Sequence, residues 1–185
     1  MRPDGKDGVA VVYWIAAIVA GLDQGIKWLI VTHMAQGQSI VVWPGVFELL
    51  YVRNSGAAWS LFADQRAFLI AVALFVSAAI VFIDRRFARG KRSLQAALGL
   101  LLGGAVGNLI DRVVRGYVID YVYVKIVHYP VFNLADSAVV VSVLYLIVRA
   151  WRSRGEAGGG VRGVRDAAGA PEVKGSDADD ARGRR

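Results

Sequence analysis

Three consecutive phrases between residues 103 and 138 decide how this chain reads: GGAVGNLIDR at 103–112, GYVIDYVYVK at 116–125 and YPVFNLADSA at 129–138. They set Asn108, Asp111, Arg112, Asp120, Asn133 and Asp136 among strongly apolar neighbours. Ionisable groups beside hydrocarbon are costly, so each needs a partner or a function. Asn108, Asp111 and Arg112 are spaced i, i+3, i+4, which places them on one helix face. Asn133 and Asp136 are three apart at the start of the next apolar run, and Asp120 lies between the two groups. If the helices pack as neighbours, two carboxylates meet with amide and guanidinium groups around them.

Composition points to a membrane protein. The 185 residues are 56% hydrophobic, with a mean hydropathy of +0.45, more than one soluble domain of this length carries. The formal charge of +7 raises the question of nucleic acid. The basic residues sit at the ends of apolar runs and in the tail without an aromatic-interleaved face, which argues against a nucleic-acid partner. No cysteine is present, so disulfides, thiolate nucleophiles and cysteine metal sites drop out. With two histidines and no HExxH, no metal or other cofactor is expected.

Working outward, residues 1–8 form a short polar tail, and a first span is expected at 9–33. No small-residue cleavage site follows its apolar core, so it is not read as a signal peptide. Asp23 and Lys27 are i, i+4 on it and can neutralise each other. Residues 36–66 differ in kind: Ile40–Val42 and Phe47–Val52 are short β-branched and aromatic runs broken by Pro44-Gly45, which predicts a small sheet at the membrane surface. Asn54 and Gly56 mark a turn after it, and Asn54 reads equally well as a turn residue or a site residue.

Further spans are expected at 67–83, 94–111 and 131–149, and the glycines at 99, 103 and 107 let another helix approach the third. Residues 113–130 return along the surface as strand, short helix or both. The membrane domain is thus expected over 9–150, and the Gly-, Ala-, Asp- and Arg-rich tail at 151–185 reads as disordered. Lys and Arg concentrate in the links that would place both termini in the cytoplasm. At the rise of an α-helix, Asp23 and Asn108 each lie roughly 21 Å from the inner end of their spans. Asp136 lies roughly 9 Å below the outer surface of a core of about 30 Å. Three helices therefore carry their polar groups at one depth, in the outer half of the bilayer.

Neither histidine has serine and carboxylate partners at that depth, so nucleophilic triads fail. A cation between Asp120, Asp136 and Asp111 would compete with the neighbouring arginine. Two aspartates held close cannot both ionise, so one keeps its proton near neutral pH. The ionised one can activate a water, while the protonated one polarises a carbonyl and later protonates a leaving amine.

The chain resembles the lipoprotein signal peptidase (signal peptidase II) family over about residues 9–150. The resemblance rests on Asp23-Gln24 with Lys27, on Asn54 in NSGAAWS, on GNLIDR at 107–112, on Val118-Ile119-Asp120 and on FNLADSA at 132–138. It implies an all-α polytopic protein of the cell membrane with four spans, a small extracytoplasmic β-cradle, and a mobile return segment over the site. Asp120 and Asp136 fall on the family's catalytic aspartates. Asn54, Asn108, Arg112 and Asn133 fall on its site-lining residues, and Asp23, Lys27 and Asp111 on its supporting positions, with Gly56 in the same turn motif as Asn54. The implied partners are membrane lipid and a prolipoprotein whose cysteine carries a diacylglyceryl group, cut just before that cysteine. A monomer is expected. Tyr121 departs from the pattern, since the family commonly has phenylalanine after the first aspartate, and the charged tail has no counterpart. Rival readings are an ion-coupled transporter and a non-enzymatic lipid-binding factor. Four spans without a repeat are few for alternating access.

Overall fold

The computed structural model describes residues 7–57, 59, 61–127 and 129–167. Four long helices carry the apolar runs: α1 (Asp7–His33), α2 (Arg66–Ile83), α3 (Arg92–Val114) and α4 (Leu134–Ala167). α2 continues into a short π-helix, Asp84–Ala88. Segments of these helices at Val11–His33, Arg66–Ala88, Arg92–Val114 and Leu134–Ser153 are each long and apolar enough to cross a membrane. Side chains such as Trp14, Ile18, Leu22 and Phe75 stay exposed on them, as a lipid-facing surface requires.

Between α1 and α2 the chain forms β1 (Ser39–Trp43) and β2 (Phe47–Asn54), and after α3 comes β3 (Val118–Val124). Within 113–130, residues 113–114 end α3, 115–117 turn, 118–124 form the strand and 125–127 turn again. The sheet is antiparallel in the order β1-β2-β3. Pro44-Gly45 reverses the chain between β1 and β2, with Gly45 at φ +75°. In β2 and β3, Val52 pairs with Asp120, Arg53 with Ile119 and Asn54 with Val118. Glu48 ties the three strands together: its carboxylate accepts from Ser39 Oγ at 2.9 Å and pairs with Lys125 Nζ at 2.6 Å. Those two donors hold the Glu48 carboxyl below its ordinary value, Lys125 more than Ser39.

Two apolar clusters fix the arrangement. Val12, Ala16, Ile80, Ala88, Leu98 and Leu102 join α1, α2 and α3. Ile30 and Met34, at the end of α1, pack under the sheet against Tyr51, Ile119 and Tyr121. Successive residues of a strand face opposite ways, so burying Ile119 and Tyr121 there turns Asp120 to the other face. The fourth span begins at Leu134 rather than 131, because Phe132 bridges to Val122 of β3 instead of entering the helix.

Residues 1–147 form one compact unit and 148–185 another. The second is helical as far as Ala167, so the segment from 151 read as disordered begins as helix. Residues 1–6 of the expected N-terminal tail and 168–185 lie outside the described residues.

The glycines of α3 set the helix spacing. A Cβ on Gly104 would collide with the carbonyl oxygen of Ala135 in α4, and one on Gly107 would lie 2.7 Å from Asp23 Oδ2 in α1. Gly21 and Gly25, by contrast, have nothing within 4 Å of that position. Gly104→Ala should therefore lower thermal stability in detergent by about 1–3 kcal/mol through overpacking. Gly21→Ala should be neutral or stabilising by up to about 1 kcal/mol, since alanine is the better helix former. Melting curves of the two variants check the contrast.

Candidate active site

The first turn of α4 organises the site. Asn133 precedes the helix and Asp136 is its third residue, and the two bond reciprocally. Asp136 N donates to Asn133 Oδ1 at 2.8 Å, and Asn133 N donates to Asp136 Oδ2 at 3.2 Å. This is a capping box with Asn and Asp in place of Ser and Glu. It holds the Asp136 carboxylate at a helix N-terminus, where aligned peptide dipoles favour negative charge.

Asp120 reaches the same place from β3 and is 2% exposed. Asn133 Nδ2 donates to its Oδ1 at 2.8 Å, and Asn54 Nδ2 donates to its Oδ2 at 2.9 Å. Asn133 thus bonds both carboxylates. Burial, and after it the charge of Asp136, push the Asp120 pKa from 3.8 up to about 7 against the opposing hydrogen bonds. Asn54 also shapes the turn, since its Oδ1 accepts from Gly56 N at 2.9 Å.

Asn108 joins this pair to a buried ionic group. Its Nδ2 donates to Asp136 Oδ1 at 2.7 Å, while its Oδ1 accepts from Lys27 Nζ at 3.0 Å and Asn133 Nδ2 at 3.1 Å. Lys27 pairs with Asp23 and with Asp111, both at 2.8 Å, and all three side chains are fully buried. Lys27 therefore bridges two carboxylates, where a simple Asp23–Lys27 pair was one reading of the spacing. Arg115 supplies the second cation, 2.5 Å from Asp111 Oδ1. The set holds two positive and two negative groups, so it is neutral overall. Asp23 Oδ1 also accepts from Ala135 N at 3.0 Å, which locks α1 to the start of α4.

The face argument for α3 needs refinement. Asn108, Asp111 and Arg112 all enter the polar network, but they part company. Asp111 turns to α1 and also accepts from Ile119 N at 3.2 Å. Arg112 crosses to the β2–α2 turn, where its Nη2 donates to Gly56 O at 2.9 Å. Its Nε is buried without a hydrogen-bond partner among the described residues.

A cavity of about 360 Å³ brings Asn54, Asn108, Arg112, Asp120 and Asp136 to one surface. Gly56, Asn133, Asp23, Lys27 and Asp111 stand behind that surface. Trp59, Tyr129 and Phe132 line it too, and they stack edge-on in sequence, with Trp59–Tyr129 and Tyr129–Phe132 centroids both 5.7 Å apart. Their place was not legible, because aromatic residues in two separate loops carry no spacing signal. Gln24 and Arg115 were also missed. Gln24 Nε2 donates to Gly107 O at 3.0 Å and to Asp111 Oδ1 at 3.1 Å, and its Oε1 accepts from Arg115 at 3.0 Å. The neighbour of Asp23 and the residue four after Asp111 were the available signals.

A multi-pass protein with two aspartates on one cavity, Asp120 among them with its pKa raised to about 7, has the kind of arrangement that membrane enzymes use at their functional sites. Its relatives narrow this. The sequence profile of signal peptidase (SPase) II matches residues 15–152. The lipoprotein signal peptidase of Bacillus subtilis (strain 168) is 45% identical over 139 residues, covering 74% of this chain and 90% of the relative. That of Bacillus velezensis is 45% identical over 141 residues, with the same coverage. Two solved structures of bacterial membrane enzymes superpose with TM-scores of 0.76 and 0.71 at 32% and 34% identity. They cover 80% and 76% of this chain and 91% and 92% of their own. The chain belongs to the signal peptidase II family, as a multi-pass protein of the bacterial cell membrane.

Removing one partner from a buried ion pair leaves an uncompensated charge, which costs about 3–5 kcal/mol. Lys27→Met should therefore destabilise the protein by that order, because Asp23 and Asp111 both lose their buried cation. Arg115→Gln should cost less, since the Arg115 side chain is 25% exposed and water can replace part of its contact. Thermal melting in detergent gives the ordering, and an Arg115 loss equal to that of Lys27 would contradict it.

Proposed function

We propose that this protein is an aspartic endopeptidase that removes the signal peptide from diacylglyceryl-modified prolipoproteins, cutting just before the lipidated cysteine. The observation that carries the reading is the pair Asp120 and Asp136 on one cavity, tied through Asn133. Its family membership supplies the substrate class, as the named relatives are lipoprotein signal peptidases.

The roles follow from the two environments. Asp136, at the helix N-terminus with donors from Asn108 and Asn133, is the ionised partner and takes a proton from the attacking water. Asp120, with its pKa near 7, carries the proton of the pair. It hydrogen-bonds the scissile carbonyl as the tetrahedral oxyanion forms and then protonates the departing amine. The pair ends as it began, with one proton between two carboxylates. Asn54, Asn133 and Asn108 hold the two side chains in register, and Arg112 lies on the same wall.

The lipid reading rests on the flank of α4. Val139 and Val140 line the cavity, and Val140, Val143 and Leu144 are exposed, so polar chemistry and an apolar surface share one edge. Acyl chains on the substrate cysteine would lie along that surface while the peptide enters under Trp59 and Tyr129. The Lys/Arg bias supports both termini on the cytoplasmic side and the three-stranded sheet outside, over the site.

Purified protein should shorten a diacylglyceryl-modified lipobox substrate and leave the unmodified peptide nearly untouched. Equal cleavage of both would contradict the role of the lipid. Asp120→Asn and Asp136→Asn should each lower turnover by at least about a hundredfold with the protein still folded, since asparagine cannot carry the proton. Substantial turnover in either variant would rule out the dyad.

The raised Asp120 pKa also gives a pH signature. Activity that needs its proton should fall above about pH 7. In stability, a carboxyl with a folded pKa above its unfolded value loses its contribution as pH rises through that interval. The gain in melting temperature from Asp120→Asn should therefore grow between about pH 4 and pH 7 and level off above it, and a gain that is flat with pH would contradict the shift.

A further inference from the structure

The cations of this protein fall into two sets. Toward the cavity end, each described Arg and Lys has a protein partner. Besides Lys27, Arg53 donates to Tyr51 Oη, Arg66 to Val113 O and Arg112 to Gly56 O. Arg115 pairs with Asp111 and Lys125 with Glu48. The link between α2 and α3 is the opposite case. Arg85, Arg86, Arg89, Lys91 and Arg92 are all exposed there, and none forms an ion pair among the described residues.

The link is built so that these charges stay unmatched. Its π-helix buries Ala88 in the cluster with Ile80 and Leu98. Lys91 N donates to Ala88 O at 2.9 Å and Gln95 N to Lys91 O at 3.0 Å. Gly90 turns the chain at φ +77° with open space around it. Asp84, the one acid of the link, is fully buried and accepts from Gln95 Nε2 of α3 at 3.5 Å instead of pairing with a cation. The first turn of α3 has neither an acidic residue nor a side-chain cap, and the helix dipole adds positive potential at that end. Phe82 and Phe87 stand exposed beside the cations, and the Arg86 guanidinium lies 5.1 Å from the Phe87 ring centroid. Apolar rings next to guanidinium groups suit the boundary between acyl chains and headgroups.

The link also closes two spans. Along α3, Arg92 is roughly 24 Å from Asn108 at the α-helical rise, so the cluster sits at the membrane surface opposite the cavity. We propose that the α2–α3 link is a binding surface for anionic phospholipid headgroups. Four of its five cations are arginines, whose planar forks take two phosphate oxygens at once. The net negative charge of the headgroup compensates a cluster that the protein leaves unmatched. A zwitterionic lipid brings the same phosphate with a cation of its own and does not relieve that excess. The contact seats α2 and α3 by their ends and is independent of the aspartates at the other end.

Full-length protein in a non-ionic detergent, titrated with phosphatidylglycerol or with phosphatidylcholine of the same chains, tests this. Native mass spectrometry reads the retained lipid, and melting reads the stabilisation. Phosphatidylglycerol should bind at least about tenfold more tightly, and the preference should shrink as salt screens the exposed charges. Arg85→Gln, Arg86→Gln and Arg89→Gln together should bring the two lipids to within about twofold. Lys125→Gln, at the cavity end, should keep the preference. Melting without lipid checks that the triple variant is folded, and if it is not, the salt titration of the parent protein decides. A preference that survives the triple substitution, or that stays constant up to about 1 M salt, would overturn the proposal. So would inorganic phosphate raising the melting temperature as much as phosphatidylglycerol does, because a small-anion pocket then accounts for the cluster without a lipid surface.

Discussion

A helix that begins in the interior must find acceptors for its first N–H groups, and here that requirement places the chemistry. A buried donor left without a partner costs about 1–3 kcal/mol, and α4 has several in one turn. They are met by Asn133 and Asp136 of the turn itself, by Asp23 from α1 and by Tyr121 from β3. Two of these acceptors are carboxylates, and Asp136 is one of the two proposed to act on substrate. The contacts that satisfy the helix start therefore also set the position of a carboxylate in the proposed dyad. Function and folding share the same hydrogen bonds.

The ionic group behind this turn has a different task. Asp23, Lys27 and Asp111 are fully buried, an arrangement that yields little net stability against a well-packed apolar alternative. Its value lies in registry. Lys27 and Asp23 come from α1 and Asp111 and Arg115 from α3, so a slip of either helix would break several charge contacts at once. The close approach at Gly103 and Gly107 makes those contacts reachable, and Asn108 passes the resulting alignment on to Asp136. Glycine spacing, ion pairing and dyad geometry form one chain of dependence that runs from packing to chemistry.

Much of this was legible in the sequence, for identifiable reasons. Four apolar runs read as helices long enough to span because hydrocarbon leaves few alternatives for the backbone. β1 and β2 announced themselves through β-branched runs around Pro44-Gly45. β3 did not, because Val118–Val124 becomes a strand by pairing with β2, and the partner is more than sixty residues away. The polar residues were picked out by their cost in apolar surroundings, which is independent of their contacts. Those contacts were harder to see. Asn133 and Asp136 read as two groups three apart on a span, whereas the structure makes them a cap and moves the helix start to Leu134. Asp111 and Arg112 are adjacent and were read as one face with Asn108, yet adjacent helical positions diverge by about 100°, enough to send one to α1 and the other to Gly56. Arg115 offered only its i+4 spacing from Asp111, and Tyr121 carries no spacing pattern at all, since its contacts depend on which element packs beside it.

The central claim is that Asp120 and Asp136 hold one proton between them near neutral pH, in a cavity that a peptide bond can enter. Difference infrared spectroscopy of the protein in detergent, titrated from acid to alkaline pH with carboxyl-labelled aspartate, observes that proton directly. The account predicts a protonated-carboxyl band that persists to near neutrality, fades through about pH 7 and is lost in Asp120→Asn. A spectrum in which the band attributable to Asp120 vanishes in the ordinary carboxylate range, near pH 4, would contradict it.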